Sequence, residues 1–198
     1  MVPDLWFAVF GNRAPVEVEI GPGRGEVLLA WAAAAPATNF FAVERSAGRA
    51  TALRAAAARR GLANVRVVAG QAECVLAHAV PDASVRAFHI YFPDPWPKTR
   101  HRHRRLFGDA LAAELRRTLV SGGAVHIASD MPSLVAAIAT RCVAAGLVIE
   151  AGTEPPRRPA SSFEQRYARG GTAYACLRRP ANERSGFRRP TGTWSTLT

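Results

Sequence analysis

The sequence predicts an α/β fold in which a mostly parallel, doubly wound sheet ends in an antiparallel pair of strands. Strand and helix patterns alternate along most of the 198 residues, and such alternation implies a parallel sheet with helices on both faces. A chain of this length suits one domain. We therefore expect a single domain over residues 1–180, followed by a loose polar tail over residues 181–198.

The first half of the chain contains three strand patterns, each followed by a helix pattern. The first strand ends in glycines, Pro36 stops the helix after it, and Gly61 is well placed to end the next helix. The predicted strands are Pro15–Ile20, Asn39–Val43 and Val65–Val68, and the predicted helices are Glu26–Ala35, Ala47–Arg60 and Ala72–His78.

The second half continues the alternation and then changes. Pro93 cuts off the fourth strand, and Gly122 and Gly123 are expected to close the helix that follows. The predicted strands are Val85–Phe92 and Ala124–Ala128, the predicted helices are Arg104–Leu119 and Ser133–Ala145, and the predicted antiparallel pair is Leu147–Glu150 with Ala173–Leu177. Gly152–Gly171 is rich in Pro, Arg, Ser and Gly, which predicts a loop.

Composition argues against several classes of protein. No apolar run reaches the ~20 residues of a membrane helix, and the first ten residues lack the layout of a signal peptide. The expected compartment is the cytoplasm. Cys74, Cys142 and Cys176 are scattered without paired spacing, which argues against a disulfide framework or a zinc site. We expect all three to be small buried hydrophobic groups.

The charge balance favours a nucleic-acid partner. Lys and Arg total 26 against 15 acidic residues, a formal net charge of +11. A domain this basic usually binds a polyanion. Codon bias toward Arg and Ala is the alternative explanation, because Lys98 is the only lysine in an arginine-rich chain.

Ligands of parallel α/β sheets bind at the carboxyl ends of the strands. A glycine-rich turn, E-I-G-P-G-R-G, occupies residues 19–25 at the first of these ends, where glycines allow backbone N–H groups to approach a ligand. A dinucleotide turn would have glycine at the position of Glu26, and a carboxylate there would repel a pyrophosphate. S-adenosylmethionine (SAM) has no phosphate, and Glu19 suits its cationic groups. The turn therefore favours SAM over NAD.

The other strand ends, which are the next candidates for functional positions, lie at Glu44, Gly70, Phe92 and Asp130. Glu44 ends the second strand, roughly twenty residues after the glycine turn, where a carboxylate can accept hydrogen bonds from both ribose hydroxyls. A solvated acid at a strand end is the alternative interpretation of Glu44.

The segment F-P-D-P-W-P-K over residues 92–98 follows the fourth strand. Its three prolines stiffen the backbone, which favours rigid placement of Asp94 and Trp96. The carboxylate can accept the N1–H and N2–H₂ donors of a guanine edge, and Trp96 can stack on a base or pack beneath the loop.

A basic strip follows directly, and it is interpreted as a phosphate-binding surface or, alternatively, as a solvated face. It consists of Lys98, Thr99, Arg100, His101, Arg102, His103, Arg104 and Arg105.

Together these motifs resemble the bacterial tRNA (guanine-N7-)-methyltransferases over about residues 16–178. The most specific match is F-P-D-P-W-P-K with the R-H-R-H-R-R after it. E-I-G-P-G-R-G, the acid at Glu44 and S-S-F-E-Q-R at residues 161–166 agree in order. The resemblance implies a Rossmann-like class I methyltransferase that transfers a methyl group from SAM to N7 of a variable-loop guanine in tRNA.

The resemblance also implies roles for individual residues. Asp94 would be the catalytic aspartate and would border SAM. The implied SAM-binding residues are Glu19, Gly21, Gly23, Gly25, Glu44, Gln71 and Asp94. The implied substrate-binding residues are Lys98, Asp130, Ser161, Ser162, Phe163 and Glu164. Arg100, His101, Arg102, His103, Arg104 and Arg105 would face the RNA.

The chain departs from the family pattern at three places. Gln71 replaces an acid near the adenine, which predicts weaker SAM binding; S-S-F-E replaces T-K-F-E; and the segment before the first strand is short. No metal is implied. Two alternatives stay open: a methyltransferase of the same fold with another RNA or a small molecule as substrate, and a non-catalytic RNA-binding paralogue. The glycine spacing disfavours a dehydrogenase.

Overall fold

The computed structural model describes residues 5–94, 107–153, 161–167 and 171–181. Within them seven strands form one sheet, and seven helices flank it or lie at its edge. The strands are β1 Val16–Ile20, β2 Asn39–Glu44, β3 Val65–Ala69, β4 Val85–Tyr91, β5 Leu119–Ser129, β6 Val148–Ile149 and β7 Ala173–Arg178. The helices are α1 Leu5–Phe10, α2 Glu26–Ala34, α3 Ala47–Arg59, α4 Ala72–Ala79, α5 Asp109–Thr118, α6 Pro132–Ala144 and α7 Ser162–Tyr167.

The sheet has the strand order β3-β2-β1-β4-β5-β7-β6. Strands β1 to β5 are parallel to one another, while β7 runs antiparallel between β5 and β6. The predicted doubly wound sheet and its closing antiparallel pair are confirmed. The chain winds outward from β1 to β3 and returns to β4 on the other side of β1, so the switch point lies between β1 and β4.

One face of the sheet is covered by α1, α4, α5 and α6. Val18 and Ile20 of β1 and Phe88 and Ile90 of β4 are at most 2% exposed and belong to the same hydrophobic cluster. Alternate residues of a strand point to opposite faces, so these side chains meet the apolar sides of the helices. Leu76, Leu111, Leu115 and Ile138 supply the buried helical side chains.

The opposite face is covered over β2 and β3 by α2 and α3. Leu28, Leu29 and Ala32 of α2 pack with Leu53 of α3 and with the strand residues Phe40, Ala42, Val65 and Val67. Over β4 and β5 this same face carries His89 and His126, whose rings stack at 5.2 Å. Polar side chains therefore line the part of this face next to β7.

Two helices were not predicted from the sequence. Helix α1 has six residues, and Trp6 and Phe10 are its buried side chains. So short a helix has little stability alone; its stability comes from packing, with the Trp6 and Phe41 rings 5.3 Å apart. Helix α7 lies inside the segment Gly152–Gly171, for which a loop was predicted, so that prediction is wrong at residues 162–167.

Several predicted boundaries are also wrong. Gly122 and Gly123 lie inside the 11-residue strand β5 and do not close the preceding helix. Between the pairs Val85–Leu119 and Ala87–Ala124 the register shifts, so the glycines sit at a bulge. Phe107 and Gly108 are not helical and α5 begins at Asp109, so the predicted helix Arg104–Leu119 is wrong at these two residues. Strand β4 ends at Tyr91, since Phe92 adopts a φ of 48° that breaks the ladder.

The cysteines differ in exposure. Cys142 and Cys176 are buried as predicted, but Cys74 is exposed on the short helix α4, so the prediction for Cys74 is wrong. All three are free thiols. The tail over residues 182–198 lies outside the described residues, and the division at residue 180 stays a prediction.

Candidate active site

The glycine-rich turn joins the end of β1 to α2. Gly21, Gly23 and Gly25 have φ values of 71°, 58° and 74°, a left-handed conformation that glycine adopts without strain. The Gly21 N–H donates to the Val43 carbonyl at 2.9 Å, and the Gly25 N–H donates to Pro22 at 2.8 Å. A Cβ at position 21 or 23 would meet nothing within 4 Å. The turn is thus compact and leaves open space beside Gly21 and Gly23.

Glu19 precedes the turn inside the sheet. It is 5% exposed and stands in register with Ala42 of β2 and His89 of β4. A buried carboxylate next to the open turn suits the cationic amino group of SAM. The acceptor oxygens at this end of β1 therefore fit the cofactor that the sequence predicts.

Glu44 is the last residue of β2 and is 3% exposed. Its Oε1 accepts hydrogen bonds from the Ser46 N–H at 2.8 Å and from Arg49 Nε at 3.1 Å. The alternative of a fully solvated acid is therefore wrong. The Gly70 N–H donates to the Glu44 carbonyl at 3.0 Å, which places the exposed Gln71 at the neighbouring strand end as the N-cap of α4.

Strands β4 and β5 end side by side. The Phe92 N–H donates to the Ala128 carbonyl at 2.8 Å, and the positive φ of Phe92 turns the chain out of the sheet before the exposed Asp94. Asp130 follows β5 and is exposed; its Oδ1 accepts the Ser129 hydroxyl at 3.2 Å. Two exposed carboxylates thus follow the two strands beside the switch point.

The S-S-F-E segment forms the first turn of α7. The Ser161 hydroxyl accepts a hydrogen bond from the Glu164 N–H at 3.2 Å, which is N-cap geometry. Glu164 Oε1 accepts the Thr172 hydroxyl at 3.3 Å. The spacing S-x-x-E is a capping-box pattern that predicts a helix start, so this signal could have located α7 from the sequence.

Helix α7 is joined to the glycine turn through Glu26. The Ser162 N–H donates to Glu26 Oε2 at 2.5 Å, and Glu26 is the first residue of α2. This backbone hydrogen bond, with the Ser162 hydroxyl and the Arg24 charge, lowers the pKa of Glu26 below its ordinary value despite a smaller opposing effect of burial. No sequence signal links two residues that lie 136 positions apart.

A polar row lies within the sheet. His89 Nε2 contacts Glu17 Oε2 at 2.8 Å, and Arg86 pairs with the same carboxylate at 2.6 Å. Burial acts to raise the pKa of Glu17, but His89 and Arg86 outweigh it and lower the pKa to about 2. Burial lowers the pKa of His126 to about 4, and the neighbouring His89 acts in the same direction. This row was not predicted from the sequence.

Several predicted site residues lie outside the described residues. They are Lys98, Arg100, His101, Arg102, His103, Arg104 and Arg105. Trp96 and the side chain of Phe163 also lie outside them. Among the residues that are described, no group of three or more His, Cys, Asp or Glu side chains could hold a metal ion, and no helix is long and apolar enough to span a membrane.

Comparison with known proteins identifies relatives over most of the chain. Residues 13–177 match the family model Methyltransf_4, described as "Putative methyltransferase". The tRNA (guanine-N(7)-)-methyltransferase of Aeromonas hydrophila is 35% identical over 170 residues, which cover 83% of this chain and 72% of that protein. The protein of the same name from Sodalis glossinidius is 38% identical, with 83% and 71% covered.

Solved structures share the fold at low sequence identity. A 16S rRNA (adenine(1408)-N(1))-methyltransferase from Catenulisporales acidiphilia superposes with a TM-score of 0.66 at 18% identity, covering 93% of this chain and 94% of that one. A SAM-dependent methyltransferase from Aquifex aeolicus gives a TM-score of 0.60 at 12% identity, with 89% and 93% covered. At such identities the likeness shows the fold alone.

Proposed function

The chain belongs to the methyltransferase family whose model its residues 13–177 match, and on that premise we propose that it transfers a methyl group from SAM to N7 of a guanine in tRNA. One observation carries the proposal: relatives named tRNA (guanine-N(7)-)-methyltransferase are 35–38% identical over 83% of the chain. The strand-end carboxylates Glu19, Glu44, Asp94 and Asp130 supply a site chemistry consistent with that reaction.

The cofactor would be held along the edge formed by β1, β2 and β3. SAM supplies an electrophilic methyl group on a sulfonium. The open turn at Gly21 and Gly23 gives its amino-acid part access to backbone N–H groups. Glu19 would take the ammonium, Glu44 the ribose hydroxyls, and Gln71 the adenine amino group through its side-chain carbonyl.

Guanine N7 has a free lone pair and no proton to lose, so the reaction needs no strong general base. The protein's main tasks are to align the methyl group with N7 and to exclude water. Methylation makes the guanine cationic and its N1–H more acidic. A carboxylate that accepts N1–H and N2–H₂ therefore binds the transition state more tightly than the ground state. Asp94 takes this catalytic role in our proposal.

The remaining predicted contacts would orient the guanine and its RNA. Asp130, Lys98 and the segment Ser161–Glu164 would contact the guanosine. The RNA backbone would lie along the strip of Arg100, His101, Arg102, His103, Arg104 and Arg105. The net charge of +11 supports a polyanionic substrate. The variable loop of tRNA is the proposed location of the target base, on the family resemblance.

The proposal is tested by incubating the protein with methyl-labelled SAM and one acceptor at a time. The acceptors are an unmodified tRNA transcript, a 16S rRNA transcript and a small-molecule extract freed of RNA. We expect label in tRNA alone. Label in rRNA or in small molecules would favour a different substrate of the same fold. SAM binding without transfer to any acceptor would favour a non-catalytic paralogue.

A further inference from the structure

The carboxylate of Glu26 lies at the N-termini of two helices at once. Glu26 is the first residue of α2, and its Oε2 accepts the 2.5 Å hydrogen bond from Ser162, the first residue of α7. The free N–H groups of a first turn carry a partial positive charge. The Glu26 carboxylate therefore lies at the partially positive N-terminus of α2, which follows the glycine turn, and at that of α7, which carries the S-S-F-E segment.

The charge of Glu26 is maintained by these contacts. The hydrogen bond from the Ser162 N–H is the largest cause of its lowered pKa, and Arg24 contributes a nearby positive charge. The carboxylate stays ionised at neutral pH, so the bond to Ser162 is charge-assisted and stronger than a bond between neutral groups.

Helix α7 needs such an external contact. Six residues form less than two helical turns, and a helix this short is marginal by itself. Its internal bonds, from Glu164 to the Ser161 hydroxyl and from the Gln165 N–H to the Ser161 carbonyl at 3.0 Å, shape its first turn. They do not fix its position relative to the glycine turn, whereas the bond to Glu26 does.

We propose that Glu26 is a positioning residue that sets the Ser161–Glu164 segment at the required place beside the cofactor turn. The inference rests on the proposed function, because that segment is taken to contact the guanosine. In this proposal Glu26 contacts neither SAM nor the guanosine directly. It acts through Ser162, because a displaced segment would lose contacts to the guanosine and bind tRNA more weakly.

Two pairs of variants isolate the contact. Glu26→Gln keeps the size and an acceptor oxygen but removes the charge, and Glu26→Ala removes the acceptor. Ser162→Pro removes the donor N–H at the first helical position, where proline fits. Ser162→Ala is its matched reference, because it also lacks the hydroxyl but keeps the N–H.

The decisive readout is kcat/KM for tRNA at saturating SAM, with SAM affinity measured by calorimetry. We expect Glu26→Ala to lower kcat/KM about tenfold or more through a higher KM for tRNA. The kcat/KM of Glu26→Gln should lie between those of wild type and Glu26→Ala. The SAM affinity of both variants should stay within about twofold of wild type. In the wild-type background, Ser162→Pro should lower kcat/KM for tRNA more than Ser162→Ala does. In the Glu26→Ala background, the two substitutions at Ser162 should lower kcat/KM equally.

Amide hydrogen exchange of residues 162–167 gives a readout that needs no activity. Exchange should be faster in Glu26→Gln than in wild type, while exchange in β1 and β4 is unchanged. The proposal is overturned if the Glu26 variants match wild type in both amide exchange and tRNA kinetics. It is also overturned if the effects of the Glu26 and Ser162 substitutions on kcat/KM are independent, or if SAM affinity falls as much as kcat/KM. If wild type does not methylate tRNA, the proposed function fails, and the exchange data alone decide whether Glu26 positions the segment.

Discussion

Oε1 of Glu44 lies 3.1 Å from Nε of Arg49, so the acid that ends β2 is ion-paired with the first turn of α3. The pair offers two explanations for any effect of Glu44 on SAM. The carboxylate can bind the ribose directly, or it can act by anchoring α3 through Arg49. Substitution of each partner separates the two explanations.

Glu44→Ala should lower SAM affinity at least tenfold, because it removes charge-assisted hydrogen bonds worth roughly 1.5–3 kcal/mol each. Arg49 is 58% exposed, and Arg49→Ala should leave SAM affinity unchanged or raise it by freeing the carboxylate. Calorimetric titration with SAM measures both. Equal losses in the two variants would show that Glu44 anchors the helix and does not bind the ribose.

Gly25→Ala should destabilise the fold more than Gly23→Ala. Both positions are left-handed, which costs alanine about 1–2 kcal/mol. A Cβ at position 25 would also lie 2.1 Å from Cδ1 of Leu53, which is 2% exposed and has little room to move. Overpacking of this kind adds about 1–3 kcal/mol. Urea unfolding measures the two losses, and equal losses would exclude the predicted clash.

His126 should make the fold less stable in mild acid. Its pKa is lowered from 6.5 to about 4 in the fold, so between these values the unfolded chain binds more protons. The contribution of His126 to the free energy of unfolding is therefore fully present above pH 6.5 and is lost as the pH falls toward 4. The loss is about 1–3 kcal/mol, allowing for solvent around the half-buried ring.

The matched variant is His126→Gln, which does not titrate and can still accept from the Tyr174 hydroxyl, now 2.7 Å from Nδ1 of His126. The free energy of unfolding in urea should fall less between about pH 7 and about pH 4.5 in His126→Gln than in wild type. Identical falls would mean that the histidine does not titrate in this window.

Asp94→Asn should slow methyl transfer by about 10²-fold or more, the scale for loss of one preorganised electrostatic group. The amide keeps the shape but removes the charge and turns a donor NH₂ toward the guanine donors. The assay is a single turnover of tRNA with saturating SAM and enzyme. Asp82→Asn is the control, because Asp82 is ion-paired with Arg117 and precedes β4 at the opposite end of that strand. A rate of Asp94→Asn within about threefold of wild type would exclude the proposed charge stabilisation.

The sheet and its ligand-binding edge could be predicted from local patterns. Alternating strand residues and glycines or prolines at strand ends depend on near neighbours in the chain, so Gly21, Glu44 and Asp130 were located at strand ends before the fold was known. The bulge at Gly122 and Gly123 was not predictable in this way, because it depends on the pairing of β5 with β4.

The contacts that complete the site depend on tertiary packing. Glu26 and Ser162 meet although they lie 136 positions apart, and the Glu17–His89 contact requires the β1–β4 pairing. Helix α1 is defined by the burial of Trp6 and Phe10 against the sheet and not by helix propensity. Sequence patterns therefore predicted which residues lie near the strand ends. They did not predict the contacts that distant segments make with those residues.

Mapping of the methylated base tests the central claim most directly. An unmodified tRNA transcript is methylated with labelled SAM and cut into oligonucleotides, which locate the label, and the labelled fragment is then digested to nucleosides. A matched transcript in which 7-deazaguanosine replaces every guanosine, and which therefore lacks every guanine N7, is treated in the same way. We predict that the label appears in 7-methylguanosine from the variable loop and that the 7-deaza transcript takes up none. Label on another atom or base, or equal labelling of the two transcripts, would contradict methylation of guanine N7.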